Sequence, residues 1–159
     1  PCRYQKVFPA AAVPSLTLQY SLASGDADRS VAEGSVGNET GQDTAFQAFG
    51  QLNTGSVFRP YFSNIHIVQA GAAVNPLRAA SIGLNYFYYA KHESGGVVNG
   101  GEAALSAFDL GHGLDLVLRW SPFKDLSVFL NGGVFIPGAA FPQDEALRFT
   151  VSGGVSFSF

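Results

Sequence analysis

With 159 residues and a formal net charge of −3, the chain is long enough for one sizeable domain, and its 9 basic residues are too scattered for a nucleic-acid surface. Charged residues make up 13% and aromatics another 13%, beside 19 glycines, whereas soluble domains carry about twice that share of charge. No run of about 18 consecutive apolar residues occurs, which excludes a transmembrane helix, and the lone Cys2 can form neither an intrachain disulfide nor a metal cluster.

In chain order, residues 1–14 carry no strand signal, because Pro9 and Pro14 interrupt any ladder and 10–13 is short. Strict alternation begins at 15–23. Leu16, Leu18, Tyr20 and Leu22 take one parity, while Ser15, Thr17, Gln19 and Ser21 take the other, the pattern of a two-faced strand. Ser24-Gly25-Asp26 then opens a polar, Gly-rich loop expected over 24–60. Asp26, Asp28, Glu33, Glu39 and Asp43 make that loop acidic, but the EF-hand spacing is absent and a solvated loop is expected rather than a calcium site. Phe46 and Phe49 within it, followed by Phe58, Tyr61 and Phe62, either fold the loop back or rest at a membrane interface.

A strand over 64–73 has apolar residues on both parities; His66 has no second His or carboxylate at i+2 or i+4, so it reads as a lumen or interface residue. Val74-Asn75-Pro76-Leu77 is expected to be a tight turn. The strand over 78–90 puts Ala80, Ile82, Leu84, Tyr86 and Tyr88 on one face and Ser81, Gly83, Asn85 and Phe87 on the other. Tyr86, Tyr88 and Tyr89 at its end suit a girdle at a membrane interface, where amphipathic rings settle. After a loop over 91–103, the strand over 104–120 directs Leu110, Leu114, Leu116, Leu118 and Trp120 one way and Asp115 and Arg119 the other, with Trp120 at the opposite girdle. A strand over 126–136 and a loop over 137–146 follow. The final strand, 147–159, alternates Leu147, Phe149, Val151, Val155, Phe157 and Phe159 with Arg148, Thr150, Ser152, Ser156 and Ser158.

The connections alternate in length, with short turns at 74–77 and 121–125 and long loops at 24–60, 91–103 and 137–146. Transmembrane barrels sort their loops this way, short on the periplasmic side and long outside. The expected fold is therefore all-β, an antiparallel transmembrane β-barrel meander in the bacterial outer membrane. Single-chain barrels of this kind begin at about eight strands, more than the pattern reveals. The chain is accordingly expected to supply the C-terminal strands of a larger barrel, which also accounts for a start without a secretory signal. Thr17, Gln19, Ser81, Asn85, Asp115, Arg119, Arg148, Thr150 and Ser152 are the expected lumen-lining residues, and Tyr86, Tyr88, Tyr89, Trp120, Phe157 and Phe159 the expected membrane-interface aromatics.

Two resemblances sharpen this. Ser152, Gly154, Phe157 and Phe159 resemble the C-terminal signal of bacterial outer-membrane barrels, which implies recognition by the barrel-assembly machinery. YSLASGDAD (20–28), FSNIHI (62–67) and LGHGLDLVLRWSPFKDLSVFLNGGVFIPGAAF (110–141) resemble the alginate-export family of outer-membrane channels. That resemblance implies a monomeric barrel carrying a polyanionic polysaccharide through an arginine-rich lumen. This sequence departs from it, since only Arg78, Arg119 and Arg148 are inward candidates, set against Asp115.

No catalytic constellation emerges. His112 and Asp115 take opposite parities, and His92 and Glu93 are adjacent residues that point apart in a strand, so neither pair makes a dyad. No enzyme activity, cofactor or metal is expected. The expected function is passive passage of small or oligosaccharide-type solutes, with outer-membrane lipid, the assembly machinery and a small solute or polysaccharide as partners. The competing readings are an anchored adhesion protein acting through 24–60 and a soluble β-sandwich binding module.

Overall fold

The computed structural model describes residues 1–8, 12–31, 37–46, 48, 52–98 and 105–158. Expectations placed on Glu33, Phe49 and Phe159, and on the 104 start of one strand, lie outside them. Seven strands form one antiparallel sheet in sequence order: β1 (Cys2–Val7), β2 (Ser15–Ala23), β3 (Ile65–Leu77), β4 (Ala80–Lys91), β5 (Asp109–Phe123), β6 (Leu126–Pro137) and β7 (Arg148–Phe157). Each strand pairs with its chain neighbours, and the sheet is open, with β1 and β7 each lacking a partner on one edge among the described residues. No helix occurs among them.

Several boundaries differ from the sequence expectation. β1 is an added strand: Cys2 faces Tyr20 and Val7 faces Ser15, so pairing with β2 supplies the order that CRYQKV does not announce by alternation. The expected turn at 74–77 belongs to β3, which continues to Leu77 through a bulge between Val74 and Leu77 and turns at 78–79. A bulge leaves residues out of the ladder, which is how Pro76 is tolerated in a strand. Arg78 consequently sits in that turn rather than in the wall. β5 starts at Asp109, with 105–108 outside it, and runs through a second bulge to Phe123, so the turn expected over 121–125 is confined to 124–125.

β5 also has a bulge that inverts one expected orientation. Tyr89 faces Gly111 while Ala90 faces Asp109, so Leu110 is the extra residue. Gly111 sits at φ +115, and a Cβ there would strike the Ile136 carbonyl, so only glycine fits. Leu110, expected outward, is instead fully buried on the other face.

Cross-strand partners share a face, so the register sorts the side chains. One row across the sheet runs Lys6, Leu16, Ala72, Leu84, Leu116, Gly132, Val151, and the next runs Tyr4, Leu18, Ala70, Tyr86, Leu114, Val134, Phe149. We call this apolar side the outer face. Interleaved rows on the inner face run Gln5, Thr17, Gly71, Asn85, Asp115, Gly133, Thr150, and Arg3, Gln19, Gln69, Phe87, Gly113, Phe135, Arg148. The burial is inverted relative to a soluble sheet: Leu18 is 55% and Val151 70% exposed on the outer face, whereas Asp115 is 5% exposed on the inner one. Apolar groups left bare in rows across a whole sheet need an apolar solvent, because water contact costs about 25 cal/mol per Å².

Among the described residues, the core lies at the long-loop end of the inner face. Ile65, Ile67, Phe87, Tyr89, Leu110 and Phe135 from the strands meet Phe58 from the loop after β2 and Ala140 and Phe141 from the loop after β6.

Candidate channel-lining face and its loop

All nine expected lumen residues fall on the inner face by register: Thr17 and Gln19 on β2, Ser81 and Asn85 on β4, Asp115 and Arg119 on β5, Arg148, Thr150 and Ser152 on β7. Four of them, Thr17, Ser81, Asn85 and Arg119, line one cleft of about 260 Å³ together with Gln69 and Asn53. Gln69 Nε2 donates to Asn85 Oδ1 at 3.2 Å, which fixes the two amides against each other. Gln19 stands apart and donates to the Ser21 hydroxyl at 3.2 Å. Arg148 is committed elsewhere: its Nη2 lies 2.7 Å from Glu145 Oε1, and its guanidinium sits over the Phe141 ring at 5.7 Å. Arg119 is exposed and also borders a second cleft of mixed lining toward the short-turn end, with Ser121, Ser127, Asn131 and Ser156 beside Val128 and Phe129.

Sequence reasoning passed over Gln69 and Asn131. Asn131 falls on the parity opposite Leu126, Val128, Leu130, Val134 and Ile136, a parity it shares with Phe129 and Phe135, and β3 is apolar on both parities, so only the register, which sets Gln69 opposite Phe87, reveals which way Gln69 points. Asn53 carried no signal, since it reaches the cleft from a loop.

Asp115 needed a partner that no strand neighbour supplies. It finds one in the loop after β2, where the Ser56 backbone N–H donates to Asp115 Oδ2 at 2.8 Å. Tyr89 corrects an expectation: it is 1% exposed on the inner face, not at a membrane interface, and its hydroxyl donates to the Thr54 carbonyl at 2.5 Å. The register makes the reason plain, because Tyr89 shares parity with Phe87 and faces Gly111. Tyr86, Trp120 and Phe157 are exposed on the outer face, and Tyr88 is half-buried there. Tyr86 and Tyr88 lie toward the long loops and Trp120 toward the short turns, so the aromatics bracket the apolar rows. Of the C-terminal signal, Ser152 and Gly154 face inward and Phe157 outward. A Cβ on Gly154 would fall 2.6 Å from the Phe129 ring that covers it.

The histidines lie at the long-loop rim of the outer face. Tyr20 Oη and His66 Nδ1 are 2.7 Å apart, His66 Nε2 and His92 Nδ1 3.1 Å, and Tyr86 Oη and His112 Nδ1 2.8 Å. His92 reaches His66 because Asn64, at φ +52, clamps the two loop ends. Its backbone carbonyl accepts from the His92 N–H at 3.2 Å, and its side chain accepts from the Glu93 N–H at 2.7 Å.

The acidic loop is internally bonded. Asp26 Oδ2 accepts from the Thr44 N–H at 2.9 Å, Asp28 Oδ2 accepts from the Thr40 N–H at 2.9 Å, and Asp43 pairs with Arg29. The Thr44 N–H, followed by the Asp28 side chain and N–H, holds the Asp26 carboxyl at about 2, below its ordinary 3.8. No group of three or more metal-ligating side chains occurs among the described residues.

An antiparallel meander with a bare apolar outer face, aromatic margins and a polar inner face is the wall of a transmembrane β-barrel. The alginate export family matches residues 5–149, and the chain belongs to that family, whose members are outer-membrane β-barrel porins that serve transport. No curated protein matches the chain.

Proposed function

We propose that this chain forms part of the wall of a passive outer-membrane channel for oligosaccharide-type solutes that are uncharged or weakly anionic. The observation that carries the reading is the inversion of the sheet, with apolar rows bare on one face and amides and hydroxyls gathered on the other. A saccharide offers many hydroxyls, and Thr17, Gln69, Ser81 and Asn85 can exchange hydrogen bonds with them at little net cost as it passes. Arg148 is held by Glu145 and Asp115 by the Ser56 N–H, which leaves Arg3 and Arg119 as the exposed charges on the inner-face rows. Two exposed arginines make a sparse field beside a lumen built to draw in a polyanion by its arginines.

In this reading the outer face meets outer-membrane lipid, the C-terminal strand is recognised by the barrel-assembly machinery, and the free edges of β1 and β7 are met by further strands or further copies. The test is to express the protein with a signal peptide, extract outer membranes, and combine heat-modifiability electrophoresis with planar-bilayer recording. A heat-modifiable, detergent-dependent species with discrete conductance steps is expected. Solubility without detergent would refute the reading.

A further inference from the structure

The segment 52–62 belongs to the long loop after β2, yet it lies on the inner face. Thr54, Gly55, Phe58 and Pro60 are buried, while Asn53 and Arg59 between and beside them are exposed. Its anchors come from successive strands. The Phe58 ring stacks on Phe135 of β6 at 4.5 Å and meets Tyr89 of β4 edge-on at 5.1 Å. Tyr89 holds the Thr54 carbonyl at 2.5 Å, and Asp115 of β5 holds the Ser56 N–H at 2.8 Å.

The wall is shaped to receive this segment. A Cβ on Gly133 would come within 2.5 Å of Asp115 Oδ1 and 2.9 Å of Val57 Cγ2, and one on Gly113 within 3.2 Å of the Tyr89 hydroxyl. Gly55, at φ +123, would bring a Cβ within 2.5 Å of that same hydroxyl. Three glycines on two sides of one contact, a nearly buried carboxylate spent on a backbone N–H, and an aromatic socket describe a fixed seat. A loop that merely shields a rim needs none of them.

Resting on the channel reading above, we propose that segment 52–62 is the constriction of the channel, a crosspiece that presents Asn53 and Arg59 to the passing solute, with Asp115 as its positioning residue. The seat uses up the carboxylate of Asp115, so the exposed charge at the narrows is Arg59, whose Nε is steadied by the Ser56 carbonyl at 3.1 Å. Asn53 links the crosspiece to the polar cleft with Gln69, Asn85 and Arg119, so a solute passes from one to the other. The crosspiece therefore sets both the size and the sign of what gets through.

The experiment is single-channel recording on the native assembly from outer membranes, with heat-modifiability as the check on folding. Ser56→Pro removes the N–H that Asp115 holds, and Gly133→Leu fills the seat; each should raise conductance by at least about twofold, or open a channel that is closed in the wild type. Asp115→Leu should do the same, while Asp115→Asn, which keeps an acceptor oxygen, should stay near wild type. Arg59→Ala, at an exposed side chain that leaves the packing alone, should shift the reversal potential toward cations. A conducting wild type whose folded variants all retain its conductance and reversal potential would overturn the constriction. Folded protein that conducts in no form would overturn the channel reading itself, and the inference with it.

Discussion

The sidedness of the sheet is open to a direct energetic test at Leu116, near the middle of β5. The steps from His112 to Trp120, at about 3.4 Å each, cover about 27 Å along the strand. At a tilt of about 40° that is about 20 Å of height, comparable to the apolar band of about 25 Å in such barrels. His112 and Trp120 face outward with Tyr88 and Ala80 beside them, so Leu116 sits halfway between the two margins, opposite Leu84 and Gly132. Leu116→Arg therefore places a guanidinium at the bilayer midplane and should cost about 2–4 kcal/mol, a shift of roughly 30- to 1,000-fold in the unfolding equilibrium. Thr17 lies on the inner face at similar depth, and Thr17→Arg should cost less than about 1 kcal/mol, because the new charge reaches water. The assay is reversible guanidinium unfolding of the assembled protein in phospholipid vesicles. Equal costs at the two positions, or a larger one at Thr17, would refute the assignment of the faces.

Trp120 is the one tryptophan of the chain and is 52% exposed on the outer face, so lipids brominated near the headgroup should quench its fluorescence more than those brominated at the chain end. Asn64→Gly keeps the left-handed backbone but deletes the side-chain bonds to the Glu93 N–H and to the Glu93 and Val97 carbonyls. It should cost about 1–3 kcal/mol, and Asn64→Ala about 1 kcal/mol more, read as faster hydrogen exchange at the Glu93 amide. The folded Asp26 carboxyl titrates at about 2 against an ordinary 3.8, so its stabilisation of the loop is in force above 3.8 and fades as pH falls toward 2. Protease resistance of the loop after β2 should fall in that window, and Asp26→Asn should remove the step.

What the sequence could reveal followed the strictness of its alternation. β2, β4 and β7 alternate cleanly, and their polar residues take the inner face. β1 escaped because Arg3, Gln5 and Lys6 are polar on both parities, and an edge strand takes its order from its partner. Leu110 and Tyr89 depart from the sequence expectation for different reasons. Leu110 is the extra residue of a bulge that alternation does not announce, whereas Tyr89 shares aromatic character with Tyr86 and Tyr88 but opposes them in parity, and parity decides its face. The seat for Phe58 was illegible because it joins a loop to β4, β5 and β6 through glycines whose meaning emerges only when Val57 and Asp115 are beside them.

The free edges bear on how the channel is completed. In hydrocarbon, each backbone N–H or C=O left without a partner costs several kcal/mol, so an unmet edge the length of β7 would exceed the whole stability of about 5–15 kcal/mol typical of a domain. Under the channel reading, strands must therefore meet both β1 and β7. The crosspiece adds a constraint that the edges alone lack. Its anchors lie on β4, β5 and β6, none of them an edge strand, so its seat is complete within this sheet. Strands that join β1 and β7 can therefore close the barrel around the crosspiece without supplying any of the contacts that hold it, and its position against the wall is set by this chain whatever the total strand number.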